Sequence, residues 1–441
     1  MSSPPPVCVW LKRDLRVADH PALAAAVERA RGGAVFAVFL YEPEVLAQPE
    51  WDASHTGFQA ECLSDLAPAL ARLGIRLVTR RGEAVAMLEA LRSETGFRLL
   101  VAHEETGTGV TYSRDRRVRR WAREAGVEML ELPQTGVVRR LASRNGWNRL
   151  WEARMESPPA VVSRATGRGG LAVIERLHWH CHFMQKLEDE PAIEFHNMLR
   201  AVDGLREEPV DAGRLAAWQT GQTGYPLVDA CMRSLLATGW LTFRMRALLV
   251  SFASYSLWLH WRPTGLHLAQ QFLDFEPGIH WSQMQMQSGT TGINTLRIYN
   301  PTKQAIDQDP RGIFIRRWLP ELAGVPEVYL HMPWTMPLDA QQAAGCRIGR
   351  DYPAPIVDHA AAVREAKARL AAARGTSQAR AEARGVARRH GSRRDRRGAM
   401  QQDPVRRSLA GPEQGRAAGS GLADSRPAGD PQRWLPFTDH D

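Results

Sequence analysis

The feature that most constrains this chain is a change of hydrophobic rhythm partway along it. From residue 7 to residue 132, short apolar runs rich in β-branched residues alternate with amphipathic stretches. Residues 7–11, 34–40, 75–79, 99–102 and 127–132 read as buried strands, with helical patterns over 21–30, 57–73, 84–92 and 112–125. Gly32-Gly33, Gly74 and Gly126 stand where the helices should stop. Continuously apolar strands alternating with helices imply a doubly wound parallel sheet. The loop after the first strand, Lys12-Arg13-Asp14-Leu15-Arg16, has neither GxGxxG nor GxxxxGK[ST], which argues against an ordinary NAD or ATP site.

From residue 171 the strand signal almost vanishes. Residues 171–187, 226–237, 243–260 and 265–274 carry apolar faces with helical spacing, and 356–371 reads as a further amphipathic helix. Four segments follow: an α/β domain over 1–135, a connector over 136–170, an all-α domain over 171–372 and a tail over 373–441. The tail has few large apolar residues and should be disordered. Residues 361–441 hold 17 Lys+Arg against 9 Asp+Glu, so they account for most of the net charge of +9. The basic balance therefore says little about the body of the protein. Five scattered cysteines form no CxxC pair, and no apolar run reaches the length of a membrane span, so a cytoplasmic protein is expected.

Several groups could carry chemistry. Trp258 and Trp261 are one helical turn apart, with Trp281 20 residues beyond Trp261. They pack a core or pass electrons between neighbouring indoles. Arg244 and Arg246 interrupt one apolar helix, and Asp274 and Glu276 follow another. Buried charges need partners, so these residues form structural salt bridges or flank a heteroaromatic ligand. In His178-Trp179-His180-Cys181-His182 the three imidazoles splay apart on a helix, so a metal site is the minor reading.

These residues bring a resemblance with them. The segment Val9-Trp10-Leu11-Lys12-Arg13-Asp14-Leu15-Arg16, the helix entry Thr223-Gly224-Tyr225-Pro226-Leu227-Val228-Asp229, Arg297-Ile298-Tyr299-Asn300-Pro301 and Arg316-Arg317-Trp318-Leu319-Pro320-Glu321-Leu322 resemble the photolyase/cryptochrome flavoproteins, in the family's order. The resemblance implies an α/β antenna-type domain followed by an all-α domain that binds FAD. It places Arg246, Asp274, Glu276, Trp240 and Phe243 around the flavin, Trp281 and Trp261 in an electron relay, and Trp179 and Arg244 toward a DNA lesion. The implied activity is light-driven splitting of pyrimidine dimers by a monomer that binds damaged DNA and no membrane. A cryptochrome-like photoreceptor is the alternative. The antenna chromophore is left open.

The departures are specific. The family's phosphate-binding Thr-Ser-x-Leu-Ser loop has no match, and 163–170 is its only substitute. Pro277 stands where repair enzymes carry Asn, Phe243 replaces an Asn, and the usual Trp-x-Trp becomes Trp281-Ser282-Gln283. Glu208 falls near the place of the outermost relay tryptophan.

Overall fold

The computed structural model describes residues 5–139, 141, 144–157, 170–206 and 210–391. Five parallel strands, β1 (Val7–Leu11), β2 (Val35–Tyr41), β3 (Arg76–Arg81), β4 (Leu99–His103) and β5 (Glu128–Leu132), lie in the order β3-β2-β1-β4-β5. Val7 of β1 pairs with Val35 on one side and Leu99 on the other. Strand alternation splits the apolar side chains between two faces. Val7, Val9 and Leu11 meet Leu23, Leu63, Leu66 and Leu70 of helices Pro21–Ala30 and Ala53–Arg72. Cys8 and Trp10 face Leu88, Leu91, Val118 and Trp121 of helices Ala84–Thr95 and Gly109–Glu124. Because the strand order reverses at β1, a crevice opens beyond the carboxyl ends of β1 and β4.

The connector contains a helix, Trp147–Met155, whose Trp147 and Trp151 are buried against Cys181. Its residues 158–169, including most of the substitute for the phosphate-binding loop, lie outside the described residues, as does Glu208. The helical domain is organised on Pro226–Thr238, packed by helices Phe243–Ser251, Pro301–Gln308 and Ile313–Trp318. The Gly224-Tyr225-Pro226 entry is held by Asp229, which is fully buried. Its carboxylate accepts from Thr223 N, Thr223 Oγ1, Gly224 N and Tyr352 Oη at 2.6–3.0 Å.

Two expectations are corrected. The apolar pattern over 243–260 does not make one helix: Phe252–Ser256 forms a π turn, and Trp258 takes a left-handed φ of 57°. Tertiary contacts overrule the pattern, because Trp258 Nε1 donates to Leu205 O and the ring lies under Arg206 and Arg369. The tail is not disordered from 373: Ser377–His390 is a helix capped by Thr376. Val386 packs near Leu187, Ile193 and Met198, and the Glu382 carboxylate accepts from Arg200 N and Ala201 N. Residues 392–441 lie outside the described residues.

Candidate functional site

Helix Pro226–Thr238 ends at Gly239, whose left-handed φ of 70° suits a glycine, and helix Phe243–Ser251 starts just beyond that turn. The turn delivers Arg246 toward the loop that follows helix Trp261–Gln271. Arg246 Nε donates to Leu241 O at 2.8 Å, and its two Nη atoms donate to Asp274 Oδ1 and Oδ2 at 3.0 and 2.9 Å. The guanidinium lies 4.1 Å from the centroid of the Phe272 ring. This fork-to-fork pair sits on an open face, since Asp274 is exposed and Trp240 and Phe243 beside it are 56% and 38% exposed. Arg244 is half-buried two positions from Arg246, and the half-buried Trp179 packs on His182 and Phe183.

Behind Asp274 lies a cleft of about 550 Å³ between the two domains. The loop after β1 forms one wall, and residues 273–277 with His180 form another. Arg13 crosses it: one Nη is 3.1 Å from Glu276 Oε2, and the other donates to Phe275 O at 2.7 Å. Glu276 Oε1 is buried with no hydrogen-bond partner among the described residues. Burial raises the Glu276 pKa, against the pull of Arg13. Below the cleft, Arg114 binds Glu42, Glu105 and Asp115, and Lys12 reaches Asp115 at 3.1 Å. Burial pushes the Glu42 carboxyl up to about 7, again opposed by the arginine. Arg246, Trp240, Phe243, Arg244, Trp179, Trp261 and Trp281 do not line this cleft, so the expected residues are not gathered around one cavity.

Aromatic contacts lead inward from the cleft. Phe275 meets His280 at 5.2 Å, His280 meets Trp281 at 4.8 Å, and Trp281 meets Trp261 at 5.9 Å between ring centroids. Both tryptophans are fully buried. Gly265 makes room for Trp281, because a Cβ there would lie 2.7 Å from the ring. Trp261 Nε1 donates to Asn197 Oδ1 at 2.7 Å, whereas Trp281 Nε1 has no partner among the described residues.

The three imidazoles of the 178–182 motif do splay apart: His182 Nδ1 accepts from Arg144, His178 contacts Asn148, and His180 faces the cleft. Sequence reasoning missed a closer group, Asp14, His20 and His103, whose ligand atoms lie within 4.8 Å of one another. Leu23 N donates to His20 Nδ1 and Ala22 N to His103 Nε2, so each ring's proton faces Asp14. The ring lone pairs are thus already used, and the group is a hydrogen-bonded clasp on the loop after β1. Asp14 and His20 share the loop between β1 and helix Pro21–Ala30, but His103 ends β4, so only the fold brings the third member to them.

Residues 7–145 match a family model described as DNA photolyase, and residues 173–372 match one described as the FAD binding domain of DNA photolyase. Cryptochrome-1 of Aedes aegypti is 38% identical over 161 residues, which is 36% of this chain but only 29% of that protein. The match to cryptochrome DASH of Gloeobacter violaceus likewise spans 30% of its length. The deoxyribodipyrimidine photo-lyase of Streptomyces griseus is 29% identical over 83% of this chain and 98% of that protein. A bacterial class III photolyase from Agrobacterium tumefaciens superposes with a TM-score of 0.73 at 24% identity, covering 85% of this chain and 99% of that one. An archaeal photolyase from Sulfolobus tokodaii, solved with two FAD molecules, gives 0.69 at 21% identity over 82% and 99%. At these identities the structural likeness is one of fold.

Proposed function

Because the chain belongs to the photolyase/cryptochrome family, we propose that it is a light-driven, FAD-dependent enzyme that splits pyrimidine dimers in DNA. The observation that carries the reading is the contact of buried Trp281 and Trp261, joined through His280 and Phe272 to the bidentate Arg246–Asp274 pair. The residues present fit the isoalloxazine end of FAD. A paired guanidinium and carboxylate lie beside exposed aromatic rings, and the unpaired Glu276 Oε1 is an acceptor awaiting a donor. FAD, when bound, supplies light absorption and one-electron chemistry.

The chain's own residues bind, orient and supply charge. Arg246 and Asp274 fix the orientation of a heteroaromatic ring and set the local field. Glu276, Trp240 and Phe243 complete that grip. Trp281 and Trp261 are oxidisable side chains in contact, so an electron deficit created at Trp281 is passed to Trp261. Arg244 and Trp179 supply a cation and a ring for a flipped-out base.

A cryptochrome-like photoreceptor is the second reading, and Pro277 favours it. As the first residue of helix Pro277–Ser288 it offers no side-chain donor where repair enzymes carry an amide, and Gln283 removes one aromatic wall of a dimer pocket. One experiment separates the readings: flavin-loaded protein is illuminated with an oligonucleotide carrying pyrimidine dimers, and dimer loss is followed. Repair predicts catalytic, light-dependent loss. Flavin photoreduction without dimer loss identifies the photoreceptor.

A further inference from the structure

We infer that Arg262, held across the domain junction by Glu50 and Glu194, is the positioning residue that sets how readily Trp281 gives up an electron. The inference rests on the reading of Trp281 as a relay donor and adds the group that controls it.

The guanidinium of Arg262 lies between two rings, 4.6 Å from the Trp281 centroid and 4.7 Å from that of Phe195. It donates to Glu194 O, and one Nη stands 3.7 Å from Glu50 Oε1. A cation on an indole face stabilises the neutral ring and opposes its oxidation. When Trp281 loses one electron, its Nε1 proton has no acceptor among the described residues, so the product is an indole radical cation that keeps that proton. Trp261 Nε1 meets only an amide oxygen, a poor base. The charge on Trp281 is therefore not relieved by proton loss, and the charges around the ring decide its cost.

Those charges are adjustable. Glu50 comes from the α/β domain and Glu194 from the helical domain, and both are 3% exposed. The Oε2 atom of each has no hydrogen-bond partner among the described residues. Two buried carboxyls near one guanidinium cannot both ionise cheaply, and Glu194 is the one that keeps its proton. Burial and then the Glu50 charge push Glu194 up to about 7, with Arg262 pulling the other way. With the proton held, the cluster of two carboxyls and Arg262 is neutral. With it released, one negative charge is left over beside the ring, and Trp281 oxidises more easily. The other faces of the two rings add little. Burial keeps His280 neutral down to about pH 4, Arg246 is paired with Asp274, and His260 Nδ1, beside Trp261, accepts from Arg262 N.

The first test needs no flavin. In protein labelled with ¹³C at the glutamate carboxyls, a resonance titrating near pH 7 is expected that disappears in Glu194→Gln and moves in Glu50→Gln. Absence of such a resonance overturns the proton on Glu194 and the inference. In flavin-loaded protein, flash photolysis then follows tryptophan radical formation. Its rate should rise roughly three- to ten-fold from pH 6 to pH 8 and be flat in Glu194→Gln. Arg262→Gln should be fast already at pH 6, and Arg262→Lys should restore slow formation. If Trp281→Phe abolishes the radical while Arg262→Gln leaves the parental rate, the inference alone fails. If Trp281→Phe leaves radical formation unchanged, the relay reading fails and takes the inference with it.

Discussion

Single residues in this protein are controlled chiefly by burial. His280 is 9% exposed, its Nε2 lies 2.9 Å from Gly265 O, and burial pushes its pKa down to about 4. The unfolded chain takes up a proton at this side chain near the ordinary value of about 6.5, which the folded chain resists. Its contribution to stability is therefore full above about pH 6.5 and is lost as pH falls toward 4, on the order of 3 kcal/mol in all. Urea melts at pH 7 and pH 5 should show a lower midpoint in acid, and His280→Gln should reduce that difference. An unchanged difference in the variant would place the acid sensitivity elsewhere. At this scale the sequence was legible where a charge interrupts an apolar run, as Arg246 and Asp274 do. It was opaque where partners meet only through the tertiary fold, as in Asp14 with His103 or Glu50 with Arg262.

Elements were legible where pattern and packing agree. All five strands lie within a residue or two of the apolar runs that announce them: β1, β2 and β4, covered on both faces, are apolar almost throughout, whereas the edge strand β3 shows only Leu77 and Val78 half-buried. The break within 243–260 was hidden, because a π turn leaves the apolar pattern intact while the indole of Trp258 is turned outward to Leu205. Two predictions belong to elements. Asp229 satisfies four donors at the entry to Pro226–Thr238, and Asp229→Asn leaves at least one of them facing an amide N–H₂. Loss of about 2–4 kcal/mol in chemical denaturation is expected, with Asp229→Ala worse than Asp229→Asn. Gly278 lets helix Pro277–Ser288 lie directly on Gly170–Asp189, since a Cβ there would stand 2.5 Å from Met184 Cα. That neighbour is backbone and cannot turn aside. Gly278→Ala should therefore cost about 1–3 kcal/mol or more, whereas Gly57→Ala, with open space around it, should cost little. Equal stability of the two variants would show that the helices part without penalty.

At the scale of the whole molecule, helix Ser377–His390 docks on the body, and this changes which part of the basic segment is held in place. Residues 376–391 hold four arginines against one glutamate, whereas residues 392–441 hold nine Lys+Arg against seven Asp+Glu. Composition alone merged the two segments, because a helix rich in alanine and arginine has few large apolar residues whether or not it docks. Docking here depends on Val386, on the two backbone amides that donate to Glu382, on the Arg389–Glu190 ion pair and on the contact of His390 Nε2 with the same carboxylate. Cutting the chain after residue 391 should leave its stability unchanged, while cutting after residue 375 uncaps Arg200 and Ala201 and should cost about 2–4 kcal/mol. The same division applies to DNA. Each phosphate neutralised by a side chain steepens the fall of affinity with salt by about 0.9 in the logarithmic slope. Arg380 and Arg384 are exposed on the docked helix, where a fixed backbone holds them at less entropic cost than a flexible chain would. Arg380→Gln with Arg384→Gln should then lower the salt slope for undamaged duplex by up to about 2. Removal of residues 392–441, which carry a small net charge, should change it much less. A slope that falls only on removing 392–441 would return the electrostatic contact to the far C-terminus and deny it to the helix.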